Sequence, residues 1–132
     1  MDNVIKEMHS KAVNVRNNSY SPYSKFAVGA AVLTDDDKIF VGCNVENASY
    51  GGAVCAERNA IFQSIISEGN LSIKKILIVT EPVAVPCGFC LQVISEFAMP
   101  DTEIILCDSS GPKKTHLFSE FMPHPFDKTS LP

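Results

Sequence analysis

Positive charge is scarce in this chain: 11 lysines and arginines stand against 15 aspartates and glutamates, a formal net charge of −4. No clustered basic face is available to follow a phosphate backbone, which argues against a nucleic-acid partner. Long apolar runs are missing as well, and nothing approaches the length of a transmembrane helix. The opening residues, Met1-Asp2-Asn3-Val4-Ile5-Lys6-Glu7, lack the basic region and apolar stretch of a leader. A cytoplasmic protein with no membrane partner is expected. Histidine is sparse, and His9, His116 and His124 have no partners at zinc-site spacing, so all are read as surface or packing residues. Repeats and disorder-prone composition are also lacking. With 132 residues, 45% hydrophobic and 20% charged, the chain suits one domain over 1-132 with a core of its own.

What is present reads as an α/β order. Val4, Ile5, Met8, Ala12 and Val15 recur at helical spacing and predict a helix over 2–17. Residues 26–33 and 39–45, apolar and β-branched, predict a hairpin turned at Asp35-Asp36-Asp37-Lys38. That acidic turn lacks the alternating ligands, glycine and final glutamate of an EF-hand loop. A helix follows Cys55 and stops at Gly69, placed for a left-handed cap. Strands at 75–80 and 103–107 flank a helix that starts after Pro86, and an apolar segment at 117–122 precedes a proline-rich tail. Strand–helix–strand–helix–strand implies parallel neighbours joined by right-handed crossovers, with helices covering the sheet. The loops holding Cys55 and Cys87 then open at one sheet edge, by the carboxyl ends of strands.

The chemistry concentrates in Cys55-Ala56-Glu57 and Pro86-Cys87-Gly88-Phe89-Cys90. Zinc prefers four ligands, and a structural site supplies all of them from protein; Cys55, Cys87 and Cys90 leave one position open for water or substrate. Glu57 is near enough to serve such a water as proton shuttle without being a ligand. Both cysteine segments are expected at helix N-termini, where the macrodipole and free N–H groups favour thiolates. Three thiolates overbalance one dication, and Arg58, one turn beyond Cys55, is the candidate for thiolate charge compensation; the plainer alternative is a surface arginine. The odd cysteine count of 5 suits a reducing compartment and leaves over Cys43 and Cys107, both in apolar strand-like runs. Either these are inert buried thiols, or one is a fourth ligand that closes the site into a non-catalytic zinc module.

The C-x-E and P-C-x-x-C elements together resemble the zinc deaminase signature. With the stretches from Ser21 to Ala30, from Gly42 to Gly51 and from Val54 to Arg58, the chain resembles cytidine deaminases of the small, homotetrameric type, nearly throughout to Phe126. The resemblance implies a three-layer α/β/α sandwich with a mixed five-stranded sheet, including a strand near the C-terminus that periodicity does not show. It implies Zn2+ as cofactor and hydrolysis of cytidine, and of 2'-deoxycytidine, to the uracil nucleoside and ammonia in pyrimidine salvage. Glu57 is then the catalytic acid and base. Asn44 and Glu46 are implied as the ribose grip, consistent with an amide and a carboxylate at alternate positions facing vicinal hydroxyls. Phe26 is implied to pack on the nucleoside, the N–H of Ala56 to meet the pyrimidine edge, and Ala48, Tyr50, Gly51 and Phe126 to reach pockets across subunit interfaces. Plainer alternatives are a polar strand end for Asn44 and Glu46, a core phenylalanine for Phe26, and a tail anchor for Phe126.

Two positions depart from the family's usual C-G-A-C-R-Q. Phe89 is far bulkier than alanine and bears on pocket shape, while Leu91 removes a positive charge and shifts its burden to Arg58. Rival readings are a deaminase of blasticidin-S type, the closed zinc module, and a polynucleotide deaminase, the last disfavoured by the acidic balance.

Overall fold

In the computed structural model, residues 2–132 are described. Helix α1, Asn3–Arg16, begins where the Asp2 carboxylate accepts the Ile5 amide at 2.9 Å, an N-cap that satisfies one free donor of the first turn. Strands β1 (Gly29–Thr34) and β2 (Ile39–Cys43) form the expected antiparallel hairpin, with Gly29 opposite Cys43. Helix α2, Ala56–Glu68, leads to β3 (Ile73–Val79), and α3, Gly88–Phe97, leads to β4 (Ala98–Asp108). Strand β5, Gly111–Leu117, and the short helix α4, Phe118–Phe121, follow.

The sheet is five-stranded and mixed, in the order β2-β1-β3-β4-β5. Alternation along β3 sorts its side chains to two faces. Leu77 and Val79 meet Met8 and Ala12 of α1, while Ile76 and Ile78 join Ala60 and Ile94 from α2 and α3. Those two apolar layers make the three-layer α/β/α sandwich. Every residue of β1 is buried because it lies inside the sheet and is covered on both faces.

Three expectations need correction. Parallel pairing of successive strands holds only for β3 with β4; β3 pairs antiparallel with β1, because the hairpin places β1 between β2 and β3 and the α2 crossover passes over it. Strand β2 ends at Cys43 instead of 45, and Val45 makes only isolated bridges to Tyr20 and Val54. Gly69 has positive φ but, at φ 76° and ψ −147°, lies outside the left-handed helical region. The strand that periodicity missed is β5. It runs Gly-Pro-Lys-Lys-Thr-His-Leu, a polar edge held by ladder pairing with β4 and so carrying no apolar alternation.

Two glycines let helices settle on the sheet. A Cβ at Gly29 would lie 2.1 Å from the Ala12 carbonyl oxygen of α1. At Gly42 it would lie 2.4 Å from the Ala60 nitrogen and 2.6 Å from the Ala56 oxygen, so β2 and the first turns of α2 touch backbone to backbone.

Candidate active site

Strands β2 and β3 are each antiparallel to β1 and therefore point the same way, which brings their carboxyl ends to one edge. Beyond that edge α2 starts on Cys55 as N-cap and α3 on Cys87 as N-cap. The two helix starts converge. Sulfurs of Cys55, Cys87 and Cys90 all lie within 4.8 Å of one another, and Cys55 and Cys87 are 3.8 Å apart. Zinc with tetrahedral bonds of ~2.3 Å separates its sulfur ligands by about 3.8 Å, so this donor set fits the ion. The Cys90 amide donates to Cys87 Sγ at 3.4 Å, which ties that sulfur to the first turn of α3.

Neither leftover cysteine joins them. Cys107 belongs to the core under α1, on the far face of the sheet, and burial pushes its thiol up to about 12. Cys43 is half-buried at the end of β2, where Asn59 Nδ2 donates to its carbonyl at 2.8 Å, and burial raises its pKa. Among the described residues no fourth thiol is at hand to close the site.

Glu57 sits in the first turn of α2 with 5% of its surface exposed. Burial pushes its carboxyl up to about 7, and negative charge on Cys55 pushes the same way. A carboxyl held near neutrality takes and returns protons readily. Cys55 is drawn down to about 5 by a hydrogen bond from the Cys90 thiol and then by Arg58, whereas the Cys90 thiol, which keeps its proton to donate to Cys55, is pushed strongly up. Arg58 Nη2 donates to Cys55 Sγ at 3.5 Å, while its Nε is buried without a hydrogen-bond partner. The arginine therefore turns toward the sulfurs, not out to solvent.

Beside these groups opens a cavity of about 250 Å³ whose walls include Phe26, Asn44, Glu46, Glu57, Thr80 and Cys87. Ligand pockets usually run from about 300 to 1,000 Å³, so this one is small. The amide of Asn44 is held at both ends, with one N–H left over: Nδ2 donates to the Phe26 carbonyl at 2.8 Å, and Oδ1 accepts from the Val28 amide at 3.0 Å and from Ser19 Oγ. Glu46 accepts the amides of Tyr23 and Ser24, each at 3.0 Å, and the Ser24 hydroxyl. The Ser24 hydroxyl bond, first among these contacts, holds the Glu46 carboxyl below its ordinary range. Phe26 both lines the cavity and packs against the core on the α2 side.

Other expected residues lie farther out. Ala56 is buried in the first turn of α2, with its amide at the helix start. Tyr50 and Gly51 line a neighbouring cavity of about 340 Å³ together with Arg58 and Phe89, and Tyr50 is 78% exposed. Ala48 is exposed and belongs to neither cavity. Phe126 is exposed in the tail, which turns back so that Gln92 Nε2 donates to its carbonyl at 2.5 Å. Phe89 lines that neighbouring cavity, which also touches Asn44, Glu46 and Cys55, and does not wall the cavity at Glu57; Leu91 packs against the core. His9 bonds the Asp108 carbonyl at 2.9 Å and His116 meets Glu120 at 2.6 Å, as packing and surface residues do. Residues not anticipated are Tyr23 and Ser24, which hold Glu46, and Thr80, at the end of β3, a cavity wall with a buried, unpartnered hydroxyl. A turn signal at Ser21-Pro22-Tyr23-Ser24 was the one available clue to the first two.

Comparison with known proteins points one way. Residues 2–106 match the cytidine and deoxycytidylate deaminase zinc-binding region. A cytidine deaminase of Sporosarcina psychrophila is 37% identical over 129 residues, covering 96% of this chain and 94% of the relative. One from Halalkalibacterium halodurans is 41% identical over 119 residues, 88% of this chain and 89% of the relative. The crystal structure of cytidine deaminase from Burkholderia pseudomallei superposes with a TM-score of 0.82 at 37% identity, over 96% of this chain and 100% of that one.

Proposed function

The chain belongs to the cytidine and deoxycytidylate deaminase family, and on that footing we propose how its residues divide the work of a zinc-dependent cytidine deaminase. The observation that carries this reading is the placement of buried Glu57 beside three converging sulfurs at the mouth of a cavity. Cys55, Cys87 and Cys90 hold the ion, which when bound supplies a Lewis acid that brings a water's pKa toward neutrality. Glu57 takes a proton from the attacking water and delivers one to N3 of the pyrimidine. Once the water oxygen has bonded to C4, Glu57 takes the remaining hydroxyl proton and passes it to the amino group; the C4–N bond breaks, ammonia leaves and uridine remains.

Binding falls to the rest of the cavity. Phe26 packs on the nucleoside, the Ala56 amide meets the pyrimidine edge, and Asn44 and Glu46 take the ribose hydroxyls. The negative Glu46 repels a phosphate, which favours nucleosides, deoxycytidine included, over nucleotides. The engaged amide of Asn44 supports a double role, fixing the Phe26 backbone while presenting its remaining surface to the sugar. Arg58 offsets thiolate charge.

The open, small cavity supports completion by other copies of the chain, with Ala48, Tyr50, Gly51 and Phe126 presented across interfaces of a homotetramer. The exposure of Tyr50 and Phe126 fits that role. Acting as one domain, such an enzyme serves pyrimidine salvage in the cytoplasm; no helix among the described residues is long and apolar enough to cross a membrane.

The direct test follows the ultraviolet absorbance of cytidine with zinc-loaded protein and with Glu57→Gln in parallel. Turnover by the wild type and its loss in a variant that keeps zinc is expected; a variant as fast as wild type overturns the role of Glu57.

A further inference from the structure

Phe89 occupies an odd position. It stands between two sulfur ligands in the first turn of α3, yet its side chain buries little: the residue is 76% exposed. An exposed phenylalanine gains little from the hydrophobic effect, so its contacts must be sought elsewhere. Its ring faces Arg58, whose Cζ lies 5.8 Å from the ring centroid. That is within reach of a cation–π attraction. The same guanidinium donates to Cys55 Sγ at 3.5 Å, with Nε buried and unpartnered. The cation thus meets both an aromatic ring and a sulfur. A side chain as long as arginine has many rotamers, and the ring adds to the sulfur contact in restricting the outward swing of the guanidinium. Leu91 turns into the core and supplies no second cation on this side.

Resting on the zinc reading above, we propose that Phe89 is a positioning residue that clamps Arg58 against the Cys55 thiolate and so slows loss of the metal. The ring has no atom that could ligate the ion. It acts through the guanidinium, by its quadrupole and by shielding the outer face of the cation from water, which strengthens the charge–sulfur contact beneath. A cation–π contact at an exposed site is weak, and its loss corresponds to a change of about 2- to 5-fold in a rate or equilibrium.

The experiment measures zinc release from the full-length holoprotein to a chromogenic chelator, with metal content before release, for wild type, Phe89→Ala, Phe89→Leu, Phe89→Tyr, Arg58→Ala and the Arg58→Ala/Phe89→Ala pair. Phe89→Ala and Phe89→Leu should release zinc about 2- to 5-fold faster than wild type, and Phe89→Tyr, which restores a ring, at nearly the wild-type rate. In the Arg58→Ala background, Phe89→Ala should add nothing, the signature of a residue that works through Arg58. Because position 89 is exposed, the single Phe89 variants fold, and their unfolding midpoints should match wild type. A leucine as slow as phenylalanine, or an undiminished Phe89→Ala effect without Arg58, overturns the clamp. Wild type that holds zinc with Phe89→Ala unchanged sinks the clamp alone; wild type that binds no zinc sinks the zinc reading with it.

Discussion

The two helices that carry the sulfurs both begin on a cysteine N-cap, and they differ in what surrounds that start. At α2 the first turn is immured: Ala56 and Glu57 are buried, and Gly42 of β2 touches its backbone. At α3 the first turn is open, with Cys87 and Phe89 exposed and only Cys90 turned inward. Chemistry that depends on a shifted pKa resides at the dry start, since burial is what lifts Glu57. Access resides at the other. The same local motif, an N-terminal turn with a sulfur, does two jobs according to how much of it the sheet covers.

The hardest blow to that contrast is to a ligand. Cys55→Ser on the covered side and Cys87→Ser on the open side should both lose zinc and all measurable deamination, because a three-sulfur site has no spare donor; metal content by atomic absorption checks this. Zinc retained by Cys87→Ser would make the open helix a bystander. Glu57→Gln separates chemistry from binding: kcat should fall by about 10²- to 10⁴-fold with zinc content intact. Gly42→Ala tests the seating of α2. A methyl group set 2.4 Å from the Ala60 nitrogen should cost about 1–3 kcal/mol. Thermal unfolding should show a Tm lower by about 3 °C or more, with activity lost in step, whereas an unshifted Tm would mean that the contact does not hold the helix. The mildest change is Ser24→Ala. It removes the side-chain bond to Glu46 and leaves the amides of Tyr23 and Ser24. A net hydrogen bond of about 0.5–1.5 kcal/mol should raise KM for cytidine about 2- to 10-fold while kcat holds.

The contrast also separates what the sequence discloses from what it withholds. The helix at Asn3–Arg16 was legible because its apolar residues recur on one face, the helix at Ala56–Glu68 because Ala60, Ile61 and Ile65 recur at helical spacing even though Phe62 and Ile66 turn outward, and the sulfur ligands because two short motifs carry them. Strand β5 was not, since an edge strand of lysines and a threonine is stabilised by pairing with β4, a non-local cause. Nor was the reversal of β1 relative to β3, which depends on where the hairpin inserts. At the site, the types of Asn44 and Glu46 pointed to polar recognition, but their partners in residues 19–28 come from a segment distant in the chain. The outward turn of Phe89 was equally hidden, because bulk alone does not give direction.

Strand β3 is central in the sheet, between β1 and β4, and central in the chain, between the two sulfur-bearing helices. Cys87 and Cys90 are neighbours by sequence alone, so a chain still assembling already offers that pair. Cys55 reaches them only once β3 has threaded between its partners and fixed both helix starts at the same edge. Anything that binds the finished arrangement and not its precursors shifts the folding equilibrium toward completion. The ion therefore adds its full stability only to a chain whose middle strand is seated.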